Sequence, residues 1–194
     1  MTSLASLFMK RIAAVTTFLV IILSATSAVG AASLHHDLLT PRQVPHWTKY
    51  YIGAAQTASC PESTFAKSKS HSAIREVFVQ KSSQTLLLER IDTSSDPTKA
   101  FTALLAHMTK CPKTASTLDG HVTFQHFHPV NLGKFAVPVK GYTLSAVVGN
   151  ASVSGVIAYA RKGHDVFALA EISLDPLNAR SFDALLTKAI ARIP

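Results

Sequence analysis

Three consecutive runs, "GYTLSAVV", "VSGVIAYAR" and "DVFALAEIS", separated only by the short connections "GNAS" and "KGH", constrain the fold of this chain more than any other feature. Each run is rich in β-branched, aromatic and small apolar residues, and connections this short join antiparallel neighbours only. The C-terminal half is therefore expected to be a meander. A further run, "HVTFQHF", precedes it across a loop bracketed by Pro129 and Pro138, and the pair "SAIREVFVQ" and "QTLLLERID" around Lys81-Ser82-Ser83 reads as a hairpin.

Two amphipathic segments interrupt the strands. Asp96 and Pro97 suit the N-cap and first position of a helix in which Ala100, Phe101, Leu104, Leu105 and Met108 share one face, with Cys111 extending it. Asp175-Pro176 repeats the device ahead of Leu177, Phe182, Leu185, Leu186, Ala189, Ile190 and Ile193. The element order ββαββββα predicts an α+β domain, an antiparallel sheet with both helices packed on it as a two-layer arrangement.

The first 32 residues stand apart. Lys10 and Arg11 precede the apolar run "IAAVTTFLVIIL", which passes into the small residues "SATSAVGAAS", the order of basic, hydrophobic and cleavage regions in an export signal. Cleavage after Ala28, Ala31 or Ala32 fits the small-residue rule. Uncleaved, residues 12–32 are just long enough for one membrane anchor, although Thr16, Thr17, Ser24, Thr26, Ser27 and Gly30 favour removal. No cysteine follows the run until Cys60, so no lipid-attachment motif is present. The expected organisation is a signal peptide at 1–32, an extended arm at 33–48 and a single domain at 49–194, secreted or extracytoplasmic, with membrane contact only through an uncleaved signal segment.

Export bears on the two cysteines. Outside the cytoplasm Cys60 and Cys111 have only each other to oxidise with, and a bridge across that separation is worth at most about 4 kcal/mol by loop entropy. Two buried free thiols are the alternative. Export also removes nucleic acid from the expected partners. The net charge of +8 falls to +6 without residues 1–32, and the remaining cations are scattered singly along the chain, as on a solvated basic surface.

The export signal, the "LLTPRQVP" arm, the helix ending in "MTKCP", the meander turning at "RKGHDV" and the closing helix together resemble the PknH-like extracellular sensor domains of actinobacterial proteins. That resemblance implies an antiparallel sheet flanked by helices, a cleft for an extracellular ligand and no catalysis. Exported lipoproteins with a PsbP-like build are a neighbouring comparison. The chain departs from the kinase members in carrying no kinase domain and one cysteine pair where those domains have two. Only Cys111 maps onto a family feature.

Few residues suggest chemistry. His126 and His128 in "HVTFQHFHP" share one face of a strand, a spacing that presents two imidazoles to a metal. Cleavage after Ala32 would place His35 third from a free amine, a square-planar copper or nickel chelate. Partly exposed strand histidines account for the first pair equally well. Trp47, Tyr50 and Tyr51 beside Lys49 form an aromatic patch able to stack on a sugar, or to pack the arm on the sheet. G-x-S-x-G, H-E-x-x-H and phosphate-loop motifs are absent, and nothing calls for a cofactor. The expectation is a non-catalytic sensor or binding module taking a small extracellular ligand or an envelope polymer. The alternatives are a small metal-dependent envelope hydrolase and a structural factor on anionic wall polymer.

Overall fold

A computed structural model of the chain describes residues 38–49, 72–80, 82–110, 113–118, 121–148, 151–175, 177 and 179–194. His35, Tyr50, Tyr51, Cys60 and Cys111 lie outside them. The strands are β1 (Thr48–Lys49), β2 (Ser72–Gln80), β3 (Thr85–Thr93), β4 (Lys113–Leu118), β5 (His121–Val130), β6 (Val139–Val148), β7 (Ala151–Lys162) and β8 (Asp165–Ser173). The helices are α1 (Pro97–Lys110) and α2 (Ala179–Arg192).

All strands join one antiparallel sheet in the order β1-β2-β3-β8-β7-β6-β5-β4. After the β2–β3 hairpin, α1 carries the chain to the far edge, and β4 to β8 walk back until β8 pairs with β3. The meander expected from the sequence forms, turning at Gly163, whose φ of 56° is the left-handed conformation that glycine adopts without penalty.

The α+β reading holds, and each helix makes its own two-layer contact, one on each face. On the first face Phe101, Leu104 and Met108 of α1 pack with Val77, Leu88, Tyr142, Ile157 and Tyr159. On the second, Phe182, Leu186, Ala189 and Ile193 of α2 pack with Phe78, Leu87, Ala158, Phe167 and Leu169. The strands between them are sealed on both sides, which explains the nearly continuous apolar run of β8, buried at all nine positions. Deep in the first face the Tyr159 hydroxyl donates to Met108 Sδ at 3.5 Å, and burial raises its pKa far above that of a free phenol. Beside it Arg90 and Asp92 form a two-point ion pair, Nη2 to Oδ1 at 2.7 Å and Nε to Oδ2 at 2.6 Å.

Local expectations fare unevenly. Asp96 caps α1, its Oδ1 accepting the Lys99 N–H at 2.9 Å. Asp175 does not cap α2, which begins at Ala179; it sits on the preceding bend, donating its N–H to Ser173 Oγ at 3.0 Å. Lys113–Leu118, outside the strands expected from the sequence, is an edge strand. Thr48–Lys49, at the expected boundary of arm and domain, pairs with Val79 and Phe78 of β2. The arm is not extended throughout: it turns after Thr40, whose carbonyl accepts from the Gln43 and Val44 N–H groups. Its residues Leu38, Leu39 and Val44 are at most 3% exposed, packed beside α2 on the second face.

Candidate ligand-binding face

The alternation of a strand sends neighbouring side chains to opposite faces, so the register of the sheet determines which polar groups meet. Phe127 and Leu144 belong to the α1 face. His126, His128, Thr143 and Ser145 therefore lie on the α2 face, where His128 and Ser145 are exposed and His126 and Thr143 half-buried. Neither the arm nor α2 covers them.

Two rows of cross-strand neighbours run from this open area toward the centre. In one, His126 pairs with Ser145, Ser145 with Ser154 and Ser154 with Ser173, which pairs with Thr85. Its inner half is satisfied internally. Thr85 Oγ1 lies 3.1 Å from Ser173 Oγ and 3.0 Å from the Ser83 carbonyl, and Ser154 Oγ donates to the Asp175 carbonyl at 3.4 Å. The outer half, Ser145 and His126, faces solvent.

In the second row His128 pairs with Thr143, Thr143 with Val156 and Val156 with Glu171. Thr143 Oγ1 donates to the His128 carbonyl at 3.3 Å. Glu171 is 6% exposed, and its Oε2 has no hydrogen-bond partner among the described residues. Burial raises its pKa from 4.5 to about 7, so the carboxyl spends much of the neutral range protonated.

His126 and His128 do share a face, as their spacing predicts, but among the described residues no group of three metal-ligating side chains forms. Glu171 lies three strands from His128, roughly 14 Å at the usual strand spacing, too far to complete a small-ion site. His126 stands opposite Ser145, yet no hydrogen bond joins them among the described residues, and no described acid orients the imidazole as a nucleophile's base requires. What remains is a strip of hydroxyls and imidazoles with a buried carboxyl behind it, alternating donors and acceptors on rigid strands.

Trp47 is half-buried and packs on the α2-face core. It thus lies on the same face as the histidines, toward the opposite edge of the sheet. Sequence reasoning missed Thr143, Ser145, Ser154 and Glu171, because each is a single polar letter within an apolar run. Only the strand register brings them into line.

No family model matches the chain, and no curated protein matches it. Among solved structures, the extracellular domain of PknH from Mycobacterium tuberculosis is similar in fold, with a TM-score of 0.59 and 10% identity over 87% of this chain and 100% of that one. The chain thus shares the fold of that extracellular domain.

Proposed function

We propose that the chain is a non-catalytic, extracytoplasmic ligand-binding domain whose strip of Thr143, Ser145, His126 and His128 takes a small hydroxyl-rich solute. The carrying observation is the open polar strip itself, on a sheet whose central strands are otherwise sealed on both faces. Hydroxyls and imidazoles at fixed strand spacing match the alternating donors and acceptors of a polyol or sugar. The export-like first 32 residues and the fold shared with an extracellular domain support the location. Among the described residues no helix is long and apolar enough to cross a membrane.

The test is a thermal-shift panel of neutral sugars, polyols, amino acids and acidic solutes, run beside ester and phosphoester hydrolysis assays. Stabilisation by a hydroxyl-rich solute that Ser145→Trp abolishes, with no turnover, is the expected result. Hydrolysis lost in His126→Ala, or binding indifferent to Ser145→Trp, contradicts the proposal.

A further inference from the structure

Charge in the described residues is sorted by depth. Glu89, Asp165 and Glu171 are buried and Asp92 and Asp183 half-buried, which leaves Asp96 and Asp175 as the exposed acids among the described side chains. Arg42, Lys49, Lys99, Lys134, Lys140 and Lys188 are all exposed. Among the described side chains the exposed charge is therefore mostly basic.

The fold also gathers cations that the sequence scatters. Successive turns of the arm, closed by the Thr40 and Val44 carbonyls, present Arg42 and His46 to solvent. Lys188 of α2 donates its Nζ to the Gln43 carbonyl at 3.3 Å, which sets a third basic group against the same turn. Lys49 flanks them on β1. Of the exposed acids, Asp96 caps α1 on the opposite face, and Asp175 lies on the bend after β8, three strands from β1. The half-buried Trp47 sits between Lys49 and the turns.

We infer that the corner formed by the arm and α2 is a docking face for an anionic phospholipid bilayer, recognised through Arg42 and Lys188. Each basic residue held near an anionic lipid surface strengthens binding roughly fivefold, and the attraction falls within a Debye length. The open strip on β5 and β6 lies toward the other edge of the sheet.

Trp47 is the only tryptophan in the chain and reports on this corner directly. The full chain is titrated with vesicles of phosphatidylglycerol, with vesicles of phosphatidylcholine and with inorganic phosphate, following Trp47 emission. A saturable change with phosphatidylglycerol alone, suppressed by salt, is expected. Arg42→Ser with Lys188→Ser should weaken it about twentyfold, while Lys134→Ser with Lys140→Ser leaves it within about twofold. Both double variants change exposed side chains, and unfolding midpoints equal to the parent's verify that they fold. Equal response to both lipids, a matching response to phosphate, equal loss in the two double variants, or no response overturns the inference.

Discussion

The backbone N–H of Leu39 donates to Oε2 of Glu89 at 2.7 Å, fastening the arm to the centre of the sheet. Glu89 is fully buried on β3, where an ionised carboxylate is costly unless its oxygens are satisfied. The arm's attachment is therefore polar at its centre and apolar around it, through Leu38, Leu39 and Val44. Glu89→Ala should destabilise the protein by about 3 kcal/mol, from the orphaned N–H and the lost packing together, and Glu89→Gln by about 1 kcal/mol. Urea unfolding of the two variants measures both. Equal, small losses would mean that the arm is held by its apolar contacts alone.

Glu171 gives stability a definite pH dependence. Its folded-state pKa of about 7 lies above the ordinary 4.5, so between these values the native protein holds a proton that the unfolded chain has released. Its neutral form imposes no penalty below about pH 4.5, and stability falls as pH rises through 7. Glu171→Gln should remove that slope. After discounting for partial solvation, the gain of the variant over the parent above pH 8 is about 1–2 kcal/mol, vanishing near pH 4.5. Urea midpoints at the two ends measure it, and parallel pH profiles for both proteins contradict it.

On the opposite face the Arg90–Asp92 pair is largely buried. Burial raises the Asp92 pKa, an effect the Arg90 charge and hydrogen bond oppose. Removing Asp92 takes a short two-point contact from a buried guanidinium, so Asp92→Ala should cost about 3 kcal/mol, more than the contact itself contributes. Replacing the pair with Arg90→Met and Asp92→Leu should recover most of that loss. A double-mutant cycle decides the matter, and additive losses would show the two side chains to be independent.

Much of the fold was legible in the sequence because its strongest signals are local. The meander is written in short connections, α1 in its cap and in the spacing of Phe101, Leu104 and Met108. Edge strand β4 was not legible, because "KTASTL" is small and polar, and the pairing of Lys113 with His126 and Thr114 with Gln125 supplies what its own propensity lacks. Asp175 also misled: it has the chemistry of a cap, but α2 begins four residues further on, at Ala179. The open strip and the basic corner were hidden because their members are brought together by register and packing over long separations, as Gln43 and Lys188 are.

The export argument makes its own prediction. Cys60 and Cys111 should resist alkylation in the secreted protein until it is reduced, and reduction should lower stability by about 2–4 kcal/mol. Intact mass before and after alkylation reads the first, and also whether residues 1–32 have been removed. Two thiols alkylated without reductant would contradict the bridge.

The central claim is that the strip of Thr143, Ser145, His126 and His128 is where a ligand sits. Amide chemical-shift mapping of the isotopically labelled protein, titrated with the best-stabilising solute of the panel, tests it most directly. The account predicts saturable shifts concentrated on β5 and β6, with the buried β3 amides unmoved. Shifts confined to the arm and α2, or spread over the whole sheet, would contradict it.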